Sequence, residues 1–252
     1  MISLLKYIRA MYYSIHADFI LTPIREILVE GINACKSIGN GIETQPLCEY
    51  ILSSLFLRLT GAQEQKLKCI CWEIATRDYE FRRLFIKDKF QLGEYSDYKA
   101  KNKIYISLLE QICSLDKMYT IEENFGEKLI DEIVVVIKNL FEGTNISAWR
   151  QRDFFLLEDI CCKFNKKILV CNNKSLFGKD IEEDYNEIVY AHRNRLAHNT
   201  TSYQRHLPRF ETMKEGGYHW HNYPYRYFLL VLIDSVFVKL YKDYQNDCKC
   251  YF

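Results

Sequence analysis

Hydrophobic residues recur at spacings of three and four along most of this chain, a pattern typical of helices that pack one face against a core. The first residues already show it, since Leu5, Ile8, Tyr12 and Ile15 share one side of a helix and charged residues interrupt the run. We therefore expect an ordinary amphipathic helix at the N-terminus, and neither a signal peptide nor a membrane anchor.

Capping residues and glycines divide the rest of the chain into further helices. Thr22 followed by Pro23 is typical of a helix start, and Gly61 is predicted to separate a helix over 46–59 from another over 62–87. Only residues 166–173, KKILVCNN, suggest a strand. Three more helix starts are predicted at capping residues, Thr120, Ser147 and Asp180.

The last long segment predicts a buried helix, because apolar residues cover nearly every face between Phe228 and Leu240. No repeat, linker or low-complexity tract interrupts the chain. We expect an all-α fold, a multi-helix bundle of about eight or nine helices forming a single domain over 1–252. Within it, residues 180–245 carry a polar motif helix followed by the buried C-terminal helix.

Composition supports a helical, globular chain. Hydrophobic residues make up 48% and aromatic residues 15%, which excludes a disordered protein because such a chain buries enough apolar surface to offset its lost entropy. With 10 glycines and 4 prolines, the chain has too few turn residues for an all-β sandwich or barrel. The net charge is +1, so any site for an anionic partner must be a local cluster of basic residues.

The 10 cysteines do not follow the spacing of a disulfide framework or a zinc site, because neighbouring cysteines are adjacent or separated by one residue. Reduced thiols in the cytoplasm are the simplest interpretation. No uncharged apolar run is long enough to cross a bilayer, so we expect no membrane partner.

The clearest chemistry lies in the ten residues HRNRLAHNTT, which begin at His192. Arg193 and His198 fit a pattern of an arginine, four to six intervening residues and a histidine, which Arg9 and His16 also match by chance. What distinguishes the later pair is its context: Asn194 follows the arginine, the helix ends at the histidine, and an apolar helix comes next. The motif is therefore predicted at a helix C-terminus.

These residues resemble the signature of the HEPN superfamily, the higher-eukaryote-and-prokaryote nucleotide-binding domains. That signature places an arginine, a polar residue and a histidine at the end of a helix, as Arg193, Asn194 and His198 stand here. The resemblance covers roughly residues 182–242. It implies a HEPN-like helical core and metal-independent RNA cleavage in toxin or antiviral-defence systems, although some members of the family only bind nucleotide or a protein partner.

Residue chemistry agrees with that implication. Cleavage through the 2′-OH needs proton transfer and a cation that stabilises the phosphate charge, and it leaves a 2′,3′-cyclic phosphate without any cofactor or metal. Histidine, with an ordinary pKa of about 6.5, suits the proton step, and arginine suits the charge. We therefore expect His198 in proton transfer, Arg193 in charge stabilisation, and Asn194 orienting the imidazole from one helical turn away.

Two features point to partners. One histidine supplies one proton-transfer group, so a homodimer with a composite active site is expected, and an antitoxin or nucleotidyltransferase is a further expected partner. RNA itself is expected to contact basic and aromatic residues around the motif. The substrate-binding residues predicted on this basis are Arg195, Tyr203, His219, His221 and Arg226.

Simpler structural roles compete with each of these assignments. Cations at a helix C-terminus interact well with the helix dipole, so the motif would also serve as a helix end. His192 shares a face with apolar residues and is expected to be a core histidine. The aromatics near Arg226 suit core packing, and His219 with His221 would make a minimal metal pair. Glu64 with Lys68 is predicted as a solvated pair, with an auxiliary site role as the alternative. Arg82 with Arg83 is predicted as charged surface, with guidance of RNA as the alternative.

Three functional classes therefore remain open. A ribonuclease is the leading hypothesis. A catalytically inactive HEPN-like module that binds nucleotide or a protein is the alternative, and an unrelated helical scaffold is the third.

Overall fold

The computed structural model describes residues 16–39, 41–87, 95–122, 124–163, 175–198 and 222–250. Of these residues 84% are helical and none lies in a β-strand, which confirms the predicted all-α fold class. The segment 166–173 and most of the N-terminal amphipathic helix lie outside the described residues.

Eleven α-helices are defined within the described ranges. The first six are α1 Ala17–Leu21, α2 Arg25–Cys35, α3 Gln45–Arg77, α4 Tyr79–Lys87, α5 Tyr98–Leu115 and α6 Phe125–Phe141. The other five are α7 Asn145–Trp149, α8 Gln151–Lys163, α9 Lys179–Asp184, α10 Ala191–His198 and α11 Tyr223–Cys250. A 3₁₀ turn, Ile42–Thr44, precedes α3, and a π-helical segment, Tyr185–Tyr190, joins α9 to α10.

Helix α11 runs through the centre of the bundle, as its apolar sequence predicts. Every residue over 222–234 is buried, and α11 contacts α1, α3, α5, α6, α8 and the π-helical segment. The buried apolar side chains form one hydrophobic cluster that extends from Ala17 in α1 to Tyr244 in α11. Within the described residues, no helix combines the length and the apolar character needed to cross a membrane.

Helix α3 corrects the prediction of a break at Gly61. The helix continues through this glycine, which is exposed and has open space around it. Contacts along the rest of α3 outweigh the modest helix penalty of one glycine, about 1 kcal/mol. The break lies at Asp78 instead, where the backbone is extended and the carboxylate accepts a hydrogen bond from the amide of Phe81 at 3.0 Å.

The predicted capping residues are replaced by others. Helix α6 begins after Asn124, and the N-cap of α9 is Gly178, so neither Thr120 nor Asp180 caps a helix. Thr144 caps α7 by accepting a hydrogen bond from the amide of Ser147, the residue predicted as the cap. Capping boxes were predicted from spacing alone, whereas the actual start of a helix also depends on where its apolar face meets the core.

A buried ion pair joins α3 to α11. Lys66 Nζ lies 2.8 Å from Asp234 Oδ1, and both side chains are at most 5% exposed. The other carboxylate oxygen of Asp234 accepts a hydrogen bond from the amide of Ile24 at 2.9 Å. A buried carboxylate needs such partners to offset its lost hydration, so this group fixes α2, α3 and α11 relative to one another.

Candidate active site around Arg193

The predicted motif lies at the end of one continuous helical segment over residues 179–198, formed by α9, the π-helical segment and α10. Helix α10 is described as far as His198, so the predicted helix end at that residue stays a prediction. Its middle is not a regular α-helix, because the amide of Ala191 bonds to the carbonyl of Asn186, five residues earlier. Such π-turns are rare and occur frequently at functional sites.

Arg193 is partly exposed and held by two neighbours. Its Nη1 donates to Asn194 Oδ1 at 3.2 Å, and its Nη2 lies 3.5 Å from Glu64 Oε2 on α3. The Arg193 side chain is 28% exposed, so the guanidinium borders both the protein interior and solvent. Since an arginine has five N–H donors, these two contacts orient the group and leave donors for a second anion.

Glu64 links the motif helix to α3. Its other oxygen, Oε1, lies 3.3 Å from Lys68 Nζ, and its side chain is only 12% exposed. The sequence indicated a solvated Glu64–Lys68 pair or an auxiliary site role. The structure places the pair against Arg193, so this carboxylate lies between two cations instead of on a free surface.

A buried lysine lies on the inner side of this group. Lys101 in α5 is 1% exposed, donates to the carbonyl of Tyr95 at 2.9 Å, and lies 5.5 Å from the centre of the Tyr185 ring. Burial lowers the pKa of Lys101 to about 7, while the carboxylates of Glu64 and Asp97 raise it and Arg193 lowers it. The Glu64 carboxylate therefore interacts electrostatically with both Lys101 and Arg193.

The sequence did not single out Lys101, although a signal was present. Tyr98, Tyr105, Leu108 and Ile112 are all buried, and Lys101 follows the same spacing of three and four. A lysine at a position in the apolar stripe of a helix is the pattern to look for.

His198 is the last residue of α10, but its side chain lies outside the described residues. The prediction that Asn194 orients its imidazole therefore stays a prediction. The structure shows a different contact for Asn194, whose Oδ1 accepts a hydrogen bond from the Arg193 guanidinium.

The structure describes two of the five predicted substrate-binding residues, Arg195 and Arg226. Arg195 is exposed on α10, one residue beyond Asn194. Arg226 is 0% exposed in the first turn of α11. A fully buried guanidinium is not accessible to a substrate, so the prediction that Arg226 binds substrate is wrong. The remaining three lie outside the described residues: Tyr203, His219 and His221.

His192 packs in the core, as its apolar face predicts. It is 8% exposed, its ring centre lies 5.1 Å from that of Phe56, and its Nε2 is 3.2 Å from Tyr223 Oη. The tyrosine hydroxyl in turn donates to Ser53 Oγ at 3.4 Å. These contacts make His192 a link between the motif helix, α3 and α11.

Arg82 has a structural role at the end of α3, and its alternative role in guiding RNA stays a prediction. Arg82 Nε donates to the carbonyl of Ala75 at 2.6 Å and its Nη2 donates to that of Thr76 at 2.9 Å. These are carbonyls of the last turn of α3, which lack partners within the helix. Arg82 therefore caps the C-terminus of α3. Its neighbour Arg83 pairs with Glu80 on the surface.

A second buried charge cluster lies where α3, α7 and α8 meet. Arg150 contacts the carboxylate of Glu49, and its Nη1 lies 3.2 Å from Asp153 Oδ2. Burial raises the pKa of Asp153 to about 6, although Arg150 opposes that shift. The side-chain Nδ2 of Asn222, just before α11, donates to the backbone carbonyl of Asp153 at 2.8 Å, so the cluster also holds the start of α11.

Among the described residues, no group of three or more histidine, cysteine, aspartate or glutamate side chains is placed to hold a metal ion.

No protein-family model matches the chain, and neither a curated protein nor a solved structure matches it. Fold and geometry therefore define this chain as an all-α protein with an arginine-centred polar site at a helix end.

Proposed function

We propose that this chain is a metal-independent endoribonuclease of the toxin or antiviral-defence type, with a HEPN-like core. The observation that carries the proposal is the Arg193 guanidinium, which is 28% exposed, is held by Glu64 and Asn194, and lies five residues before His198 on the same helix. Arginine held in this way is ready to receive a phosphate without further ordering of its side chain.

In the proposed reaction, the 2′-OH of the RNA attacks the adjacent phosphorus and the bond to the 5′-oxygen breaks. His198 takes part in proton transfer, and Arg193 stabilises the charge that develops on the phosphate oxygens. Exposed Arg195 would contact the RNA backbone on either side. The products are a 2′,3′-cyclic phosphate and a 5′-hydroxyl end, and DNA is not cleaved because it lacks the attacking hydroxyl.

One histidine per chain supplies one proton-transfer group, so the proposal includes a homodimer in which two motif helices complete one active site. A cytoplasmic location and an antitoxin or nucleotidyltransferase partner are part of the same proposal.

A catalytically inactive module that binds nucleotide or a protein partner is the second candidate. The Arg193–Glu64 contact at 3.5 Å favours it, because a carboxylate already neutralises part of the arginine charge. An incoming phosphate must compete with Glu64, which costs affinity for RNA.

The test is RNA cleavage in excess EDTA by wild-type protein and by His198→Ala, Arg193→Met and Arg58→Met. Arg58 is the matched control, an exposed arginine on α3 that pairs with Glu30 at 3.9 Å. We expect cleavage by the wild type and by Arg58→Met, and its loss in the other two variants at unchanged melting temperature.

Two other results would reject the ribonuclease. Nucleotide binding without any turnover supports the inactive module. Absence of cleavage by the wild type, together with a melting temperature lowered by several degrees in His198→Ala, supports a helix-capping role for the motif.

A further inference from the structure

The π-helical segment Tyr185–Tyr190 immediately precedes the motif and changes the direction in which it faces. Arg193 follows Ile181 by twelve residues. In an uninterrupted α-helix, twelve residues leave a side chain about 120° away from the starting one. One additional residue in a turn removes about 100° of that rotation, which brings Arg193 to within about 20° of Ile181.

This rotation explains the location of Arg193. Ile181 and Tyr185 are each 2% exposed, so the π-turn directs Arg193 toward the buried face of the segment. Consistent with this direction, Arg193 meets Glu64 on α3, and its charge acts on the buried hydroxyl of Tyr185. A regular α-helix would direct Arg193 along the side of the bundle instead.

The π-turn is held by a side chain from another helix. Arg226 in α11 donates through Nε to the carbonyl of Ile188 at 3.1 Å, inside the π-helical segment. Its guanidinium carbon lies 5.0 Å from the centre of the Tyr223 ring and 5.9 Å from that of Phe56. In a π-turn the carbonyls lose their regular partners four residues ahead, and a donor from outside the helix stabilises the irregular turn.

A fully buried arginine is costly for the fold, because its charge loses hydration. An apolar residue in the first turn of α11 would fill the same space at a smaller cost. The bond to the Ile188 carbonyl and the two aromatic rings are among the contacts that compensate this charge, and the bond joins Arg226 directly to the π-helical segment.

We propose that Arg226 is a positioning residue for Arg193: it holds the π-turn through the Ile188 carbonyl, and the π-turn directs the Arg193 guanidinium to Glu64. The effect on catalysis rests on the proposed ribonuclease function. The effect on the position of the Arg193 guanidinium beside Glu64 does not, and it is tested separately.

The test follows the guanidinium Nε–H signal of Arg193 by NMR, assigned by its loss in Arg193→Lys. The Glu64→Gln variant gives the signal of an Arg193 without its carboxylate partner. In Arg226→Met we expect the Arg193 signal to move to the position found in Glu64→Gln, and in Arg226→Lys, which keeps a donor and the charge, to move only part of the way.

Two further variants separate positioning from simple loss of a buried contact. Gln63→Met is the matched control, because Gln63 is also buried and donates to a carbonyl of a neighbouring helix, that of Leu230 at 2.9 Å. It should leave the Arg193 signal in place. Deletion of Glu187, an exposed residue of the π-helical segment, removes the additional residue. The segment then becomes a regular helix in which Arg193 follows Ile181 by eleven residues, again about 20° away, so the signal should stay in place.

Measurement of RNA cleavage by Arg226→Met tests the effect of this residue on catalysis. A displacement of about 1 Å at a catalytic group costs on the order of 100-fold in rate, so Arg226→Met should lower kcat by about that factor with little change in KM. An Arg193 signal that stays at its wild-type position in Arg226→Met, or in Arg226→Lys if the methionine variant does not fold, overturns the inference whatever the RNA assay gives. Absence of cleavage by the wild type rejects the ribonuclease, while the NMR comparison still decides the positioning role.

Discussion

The charge on buried Lys101 should make the stability of the protein depend on pH in a way that one substitution removes. Lys101 is 1% exposed, and burial lowers its pKa from 10.5 to about 7. Between these two values the unfolded chain binds a proton that the folded chain does not. Stability contributed by this residue therefore rises with pH from about 7 to about 10.5, and below pH 7 its full penalty is present.

The size of the effect follows from the same two values. Each pKa unit corresponds to about 1.4 kcal/mol. Over the interval from pH 6 to pH 10, the free energy of unfolding should rise by about 4 kcal/mol through Lys101 alone. Lys101→Met removes this contribution and keeps most of the apolar stem of the side chain.

The assay is urea unfolding followed by circular dichroism at several pH values from 6 to 10 for the wild type, Lys101→Met and Lys99→Met. Lys99 is the matched control, an exposed lysine on the same helix. We expect the wild type to gain stability relative to Lys101→Met as the pH rises, and to run parallel to Lys99→Met. Parallel curves for the wild type and Lys101→Met would instead show that Lys101 binds the same number of protons in the folded and unfolded states.

Three other predictions concern different parts of the molecule. Arg150→Met leaves the buried carboxylates of Glu49 and Asp153 without this cation, so it should lower the free energy of unfolding by about 3 kcal/mol at pH 8 in urea titrations. The loss should be smaller at pH 5, where Asp153, with a pKa of about 6, is protonated, and equal losses at the two pH values would contradict this. Asp234→Asn leaves the Lys66 charge buried and should destabilise by a similar amount in thermal unfolding, whereas a change below 1 kcal/mol would show that the pair is not buried in solution. Sedimentation at micromolar concentration should give a dimer, and a monomer at every concentration would remove the composite active site from the proposal.

The parts of the fold that the sequence predicted depend on local periodicity. The run from Phe228 to Leu240 predicts a helix that is apolar on nearly every face, and α11 occupies the centre of the bundle. The face of His192 predicts a core histidine in the same way. Both predictions need only the spacing of apolar residues within one helix.

The parts that the sequence did not predict depend on contacts between distant segments. Glu64 and Arg193 are 129 residues apart, and only the packing of α10 against α3 brings them together. The π-turn before Arg193 also escapes a periodicity argument, because the buried residues of that segment fit a regular helix equally well. The donor that accompanies the π-turn, Arg226, comes from α11, so the irregularity becomes visible only in the folded chain.

The central claim is that Arg193 and His198 act together on one phosphodiester of RNA. The most direct measurement is mass spectrometry of the ends formed from a short RNA in excess EDTA, with the same oligonucleotide carrying 2′-deoxyribose at every position as the comparison. We expect the wild type to form 2′,3′-cyclic phosphate and 5′-hydroxyl ends from the RNA and not from the deoxyribose oligonucleotide. Arg193→Met and His198→Ala should form no such ends from either substrate. Cleavage that persists in both variants, or products with a 3′-hydroxyl and a 5′-phosphate, would contradict it.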